Sequence, residues 1–122
     1  MVEKSVHAML APSGLKTFPF QAPDNIGESE SFITYMRIGN KTTTKYYSMD
    51  KQIDESLFAC SISSSEYPKL VEIWKALNKS ILKYQDEIVM GVAVRSFDDF
   101  KANQGQFVRE FQIGVTHVTD LT

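Results

Sequence analysis

The residues best suited to chemistry in this sequence are two adjacent carboxylates, Asp98-Asp99, two histidines, a run of serines and one cysteine. Carboxylate pairs serve as metal ligands or as acid/base partners, and an imidazole beside a hydroxyl or thiol activates a nucleophile. The spacings assemble none of these. Asp98 and Asp99 sit between Phe97 and Phe100 with no histidine or third carboxylate at a ligand spacing, and neighbours on an extended chain point to opposite sides. They read as a solvated turn in which Asp bonds its own backbone. His7 and His117 lie near opposite ends of the chain, and His117 falls on the apolar face of the last expected strand as a hydrogen-bonded, half-buried imidazole. Ser61, Ser63, Ser64 and Ser65 lack a G-x-S-x-G elbow, and helix capping accounts for them. Cys60, in the apolar run Leu57-Phe58-Ala59-Cys60, reads as a small core residue; as the single cysteine it excludes an internal disulfide and a cysteine-based zinc site. The glycines form neither a dinucleotide fingerprint nor a P-loop. No catalytic residue, metal or cofactor is expected, and the chain reads as a binding protein, not an enzyme.

One further constellation is a polar stretch, NKTTTKYYSMDKQIDES at 40–56, with Lys41, Lys45 and Lys51 around Tyr46-Tyr47. Charge with stacking can contact nucleic acid, but Asp50, Asp54 and Glu55 cancel it in one copy, so a solvated loop is expected of a monomer. Repeated around a ring, the same stretch becomes a pore or docking element. The whole chain carries 13 Lys+Arg against 15 Asp+Glu, a net charge of -2, which excludes nucleic-acid binding driven by bulk charge and a polybasic membrane anchor. No apolar run approaches the ~20 residues that a bilayer crossing needs, and the opening MVEKSVHAMLAPSG lacks the basic start and apolar core of a signal peptide. A soluble protein made in the cytoplasm is expected.

These residues need elements to position them. The 122 residues suit one domain, 1–122, and eight Phe, five Tyr and one Trp supply its burial. Residues 1–31 hold three of the four prolines and read as an arm: Val6, Met9 and Leu10 offer one helical turn, and Leu15–Phe20 an extended surface segment or edge strand. The body, 32–119, begins with a strand at 32–39, with Phe32, Met36 and Ile38 on one face and Ile33, Tyr35 and Arg37 on the other. After the polar stretch, a protruding hairpin or mobile loop, comes a strand at 57–63 with Phe58, Cys60 and Ile62 on one face. Ser65 predicts an N-cap, with Pro68 third in the helix, and Leu70, Ile73, Trp74, Leu77, Ile81 and Tyr84 make one apolar helix face opposite Lys69, Glu72, Lys75, Lys79 and Lys83. Residues 88–96, almost continuously apolar, predict a central strand covered on both faces; 97–105 predict a turn-rich loop. From Gln106 to about Thr119 the alternation of Phe107, Phe111, Ile113 and Val115 against Glu110, Gln112 and Thr116 predicts the last strand, with Arg109 interrupting the apolar face.

The expected fold is α+β: a mostly antiparallel four-stranded sheet in ββαββ order, with one main helix on one face and a protruding polar hairpin. A straight last strand of ~13 residues would span roughly 43 Å, longer than the ~35 Å diameter of a compact body this size. Either it bends at a bulge at Gly114, or it projects and offers unpaired backbone groups to a neighbouring subunit.

The ordered series SFITYMRIG, a polar hairpin, SISSSEYPKLVEIWKALNKSIL, RSFDDFKANQG and FVREFQIGVTH resembles the tail-terminator (tail-completion) proteins of long-tailed bacteriophages over roughly residues 30–119. The first 30 residues depart from that pattern, since such proteins often begin with a clear helix. The resemblance implies a homo-oligomer, a hexameric ring that caps the tail tube and joins the tail to the head connector in the virion, with the tail tube protein and the connector protein as partners. DNA would pass through the lumen without sequence-specific binding. It implies that Lys41, Lys45, Tyr46, Tyr47 and Lys51 contact the tube or face the lumen, and that Phe97, Asp98, Asp99, Phe100 and Arg109 shape a loop or subunit interface, Arg109 pairing with an acidic neighbour. Two alternatives stand beside it: another neck or minor tail protein such as a head-completion ring, and an unrelated cytoplasmic α+β binding module with a closed pocket.

Overall fold

The computed structural model describes residues 2–11, 15–19, 31–48, 51–102 and 105–120, the side chains of 43–48 and 120 excepted. The elements are α1 (Val2–Leu10), β1 (Lys16–Pro19), β2 (Phe32–Ser48), β3 (Lys51–Ser64), α2 (Tyr67–Lys83), β4 (Val89–Lys101) and β5 (Phe107–Asp120). The α+β class holds, but the sheet has five strands in the order β1-β2-β3-β5-β4 rather than four. It is mixed: β1 runs parallel to β2, and every other pairing is antiparallel.

The helix side of the sheet is built by alternation. Phe58, Cys60 and Ile62 of β3 face Ile113, Phe111 and Arg109 of β5, and Ile33 and Tyr35 of β2 lie beside Ile62 and Cys60. These apolar side chains are buried together with Leu70, Leu77 and Ile81 of α2. The face of β2 that enters the core is thus that of Ile33 and Tyr35, while Met36 and Ile38 stay exposed on the open side. α2 buries the face set by its 3, 4, 7 spacing and keeps all five charged positions wet. It starts one residue later than expected: Glu66 is the N-cap and Pro68 stands second in the helix, while Ser64 Oγ accepts the Glu66 N–H at 3.4 Å.

Five other expectations are corrected. The N-terminal segment holds more than one helical turn: α1 spans nine residues and buries Val2, Ser5, Val6, Met9 and Leu10 in the core. Its apolar positions recur at the spacing of one helix face, and that burial offsets the weakness of a short isolated helix. The polar stretch 40–56 is a hairpin, as one of its two expected forms had it, but it does not protrude. Its described residues continue β2 and β3, paired antiparallel as far as Ser48 opposite Lys51, and β5 accompanies β3 along its whole length, from Ser64 opposite Phe107 to Lys51 opposite Asp120. β4 is an edge strand, not a central one, because the crossover through α2 passes over β5 and lands outside it. Its apolar run leaves Met90 exposed. The segment expected as a loop after residue 96 continues β4 to Lys101, paired residue by residue with β5. Gly114 is no bulge: β5 pairs with β3 without interruption, and the register shifts fall in β4 and β2 instead. Its missing side chain admits an ion pair across the open face. A Cβ there would lie 3.1 Å from Arg95 Nε and 3.2 Å from the Glu55 carboxyl, which Arg95 Nη2 grips at 2.5 and 2.6 Å.

The turn between α2 and β4 is held by Asp86. Its Oδ1 accepts the backbone N–H groups of Ile88 and Val89 at 2.9 and 2.8 Å. Its Oδ2 accepts the hydroxyls of Ser5 and Tyr84, each at 2.7 Å, so the same carboxylate fastens α1 to the turn. Burial alone would raise its pKa, but these four bonds outweigh it and hold the group at about 2, below its ordinary 3.8. A depressed carboxylate stabilises the fold above its unfolded pKa, and that contribution is lost as pH falls from about 4 to about 2. Asp86→Asn should therefore unfold more readily at pH 7 and show a shallower loss of stability between pH 4 and 2, read from urea midpoints. Parallel wild-type and variant curves in that window would reject the assignment.

Candidate interaction surface

At the edge of the sheet, α2 and the end of β4 hold a cluster of aromatics around one guanidinium. Arg109 reaches the helix side of β5 by the same alternation that sends Phe111 there, and only 6% of it is exposed. Its Nε and Nη2 donate to Asp99 Oδ1 and Oδ2 at 2.6 and 2.8 Å, a two-pronged pair between adjacent strands. The guanidinium lies 4.6 Å over the Phe97 ring and 5.5 Å from that of Trp74. Trp74 meets Phe111 edge-on at 4.8 Å and Phe97 at 5.6 Å. Tyr67 donates its hydroxyl to Asp99 Oδ2 at 2.9 Å and packs edge-on against Phe107. The Arg109 hydrogen bonds hold the Asp99 carboxyl below its ordinary range despite its burial, and Asp99 in turn raises Arg109.

The acidic neighbour expected for Arg109 is thus Asp99 of the same chain. Phe97, Asp99 and Arg109 come together on the helix side. Asp98 and Phe100 point to the open face, opposite Glu110 and Val108. Asp98-Asp99 is not a solvated turn, because each carboxylate belongs to a paired strand. Trp74, Phe107 and Phe111, expected only as core-facing positions, complete the cluster together with Tyr67, which the sequence did not single out. The signal was present: odd positions of β5 and the apolar face of α2 converge on the same side as Phe97. What hid it was the loop expected at 97–105.

Beside this cluster, between α2 and the outer edge of β4, runs an open groove lined by Trp74, Asn78, Leu82, Val92, Val94 and Phe97. Leu82 is 53% exposed and Phe97 51%. The open face of the sheet carries a smaller depression where the small side chains Thr34, Ala59 and Ser61 meet Asp98, Glu110 and Gln112.

Of the polar-stretch residues, Lys41 is exposed and paired in register with Glu55, and Lys51 is exposed opposite Asp120 and Ser48. Lys45, Tyr46 and Tyr47 stand in β2; their side chains lie outside the described residues. The buried counterpart of this stretch is a polar network. Ser56 Oγ donates to Asn40 Oδ1 at 2.7 Å, accepts from Arg37 Nη2 at 2.8 Å and lies 2.7 Å from His117 Nε2. Ser56 commits its proton to Asn40 and is wholly buried, so its hydroxyl is not placed to act as a nucleophile. Arg37 extends the network to Glu3 of α1 at 3.0 Å. Asp54 accepts from Thr119 at 2.7 Å and from Gln52. His117 is buried more deeply than the half-buried imidazole expected.

Burial pushes the His117 pKa below 6.5, outweighing its hydrogen bond with the Val118 backbone and the pull of Asp54. As pH falls through 6.5, the unfolded chain takes up this proton before the folded one does, so stability declines until the folded-state pKa is passed. Replacing His117 with Gln should flatten the dependence of the thermal midpoint on pH between about 7 and 5. An unchanged slope would assign that dependence to other groups.

The Cys60 thiol, buried under the helices, is pushed up to about 12 and is unreactive at neutral pH. Among the described residues, no group of three or more His, Cys, Asp or Glu could hold a metal ion, and no helix is long and apolar enough to cross a membrane.

The geometry defines a small α+β chain whose distinctive surfaces are strand edges and the groove beside β4. Comparison with known proteins gives the fold a context. A chain from the virion of a native gene transfer agent particle superposes with a TM-score of 0.62, covering 97% of this chain and 92% of that chain at 8% sequence identity. At that identity the likeness is one of fold. No protein-family model matches the sequence, and no curated protein does.

Proposed function

We propose that this chain is a structural protein of a phage-type virion, forming a ring that terminates the tail tube and joins the tail to the head connector. The observation that carries the reading is the likeness of fold, over nearly the whole of both chains, to a component of a gene transfer agent virion. The series of segments shared with tail-terminator proteins supports the narrower role, and here those segments become β2, β3, α2, β4 and β5. Its work is binding, without turnover: a hexameric ring at the head-tail junction, contacting tube protein below and connector above, with DNA in the lumen held by no sequence-specific contact. Lys41 and Lys51, with Lys45, Tyr46 and Tyr47 by position, stand at the far end of the sheet, where a tube or lumen contact would fall.

Native mass spectrometry and negative-stain images of the purified chain, alone and mixed with tail tubes, test this. A closed ring capping tube ends is the expected result; a monomer that leaves tubes uncapped overturns it. The same likeness of fold supports a second reading, another ring of the neck. Co-sedimentation separates the two, since the terminator pellets with tail tubes and a head-completion ring with filled heads.

A further inference from the structure

We propose that the outer edge of β4 in one copy pairs, antiparallel, with the outer edge of β2 in the next, so that successive sheets join into one continuous sheet. This inference rests on the ring reading above and names the surfaces that close the ring.

Among the described residues, two edges of the sheet lack a strand partner over part of their length. β4 is the last strand; at its start Asp86 bonds the Val89 N–H and C=O and Gln85 bonds the Met90 C=O, so its free outer edge begins at Gly91. The first half of the strand, Val89 to Val94, carries no charged side chain, and the groove with exposed Leu82 and Phe97, lined also by Asn78 and Arg95, lies directly beside it. A strand edge without a strand partner, flanked by a groove with exposed apolar side chains, is a template for an extended segment. At the opposite end, β1 covers β2 only from Phe32 to Tyr35. From Met36 to Ser48 the outer side of β2 has no strand partner among the described residues. That open stretch is as long as β4, which has 13 residues.

Strand polarity agrees with this joint. β2, β3, β5 and β4 alternate in direction. A second copy with its sheet facing the same way therefore brings its β2 alongside β4 antiparallel. The alternatives are two symmetric joints. Residues 36–48 carry Arg37, Lys41 and Lys45 and no carboxylate, so a β2–β2 joint sets like charges together, whereas β4 is balanced, with Arg95 and Lys101 against Asp98 and Asp99. A β4–β4 joint closes as a two-fold dimer and builds no ring, so the ring reading selects β4–β2. The pairing uses two different patches, so it propagates head to tail and closes when the rotation per copy divides a full turn. β1 occupies the slot beside Phe32–Tyr35, so the incoming β4 begins beyond it. The resulting stagger is accommodated by tilting the strands, as in a closed barrel.

Disulfide trapping tests the joint. Ala93 and Ser96 lie on the open face of β4, opposite Gly114 and Gln112, and Met36 and Lys41 lie on the open face of β2, opposite Ala59 and Glu55. Ala93→Cys or Ser96→Cys is combined in turn with Met36→Cys or Lys41→Cys. The chain's own Cys60 is buried and takes no part. Oxidation of at least one double variant, alone or on tail tubes, should give a ladder of covalent oligomers ending at the ring stoichiometry, while each single variant stays uncrosslinked. Dimers from a single β4 variant would show a two-fold β4–β4 joint and overturn the proposal. Intact rings by native mass with no ladder from any double variant would overturn the proposal and leave the ring reading standing. No oligomer in either condition would overturn both.

Discussion

Replacing Asp99 with Ala should destabilise the fold by about 2–3 kcal/mol, because it strips the counter-ion from a guanidinium that the fold has already buried. Arg109 is exposed by 6% and packed against both Phe97 and Trp74, so water can replace the lost carboxylate only in part. Asp99 itself retains some exposure, 27% of its side chain, which places the expected cost below that of a fully enclosed pair. For a chain of this size the thermal midpoint should fall by roughly 10 °C. The double variant Asp99→Ala/Arg109→Met should recover most of that loss, since an apolar side chain of similar length keeps the packing on Trp74 and has no charge to leave unpaired. Thermal unfolding followed by circular dichroism measures both. A single variant within about 0.5 kcal/mol of wild type would mean that solvent already carries the charge.

Phe111→Ala should cost more, about 3–5 kcal/mol, and drop the midpoint by roughly 12–20 °C. Phe111 lies almost fully buried at the centre of β5, between β3 and β4, with its ring 4.8 Å from Trp74. Truncation leaves a cavity walled by two strands and a helix, which cannot all collapse into it. Trp74 is the chain's single tryptophan, so its emission reports the same site, and loss of the edge-on ring should shift it to the red. Phe100→Ala is the matched control. Its ring, on the open face and 46% exposed, should cost no more than about 0.5 kcal/mol. A red shift at position 111 without loss of stability would show that the sheet closes over the vacancy.

The parts legible in the sequence are those dictated by local periodicity. The single face of α2, the Phe58-Cys60-Ile62 side of β3 and the alternation of β5 were all visible as spacing, and the structure buries those faces. Local pattern failed where the deciding contact came from far along the chain. Asp98-Asp99 has the composition of a turn, yet Arg109 draws Asp99 into a strand ladder. The stretch at 40–56 has few apolar anchors, yet Asp54 and Ser56 continue the buried side of β3 by bonding Asn40, His117 and Thr119. Hydropathy cannot show that polar side chains will satisfy one another inside. The apolar run at 88–96 was read as a central strand because hydropathy counts burial without saying what provides it; here α2 covers one face and the outer edge stays open.

The chain by itself determined its class: one main amphipathic helix, strands of alternating faces and a charge balance near neutrality. Those properties depend on residues a few positions apart, where period and side-chain type are sufficient. Only the tertiary structure decided the order of the strands, and with it which edges remain open and which carboxylate Arg109 meets. The crossover through α2 could have landed on either side of β5. It lands outside, so β4 ends the sheet and its outer edge lies beside the groove. Strand order is a choice among long-range pairings, settled by the combined burial of both helices and the satisfaction of the polar network, and no short window of sequence contains that balance.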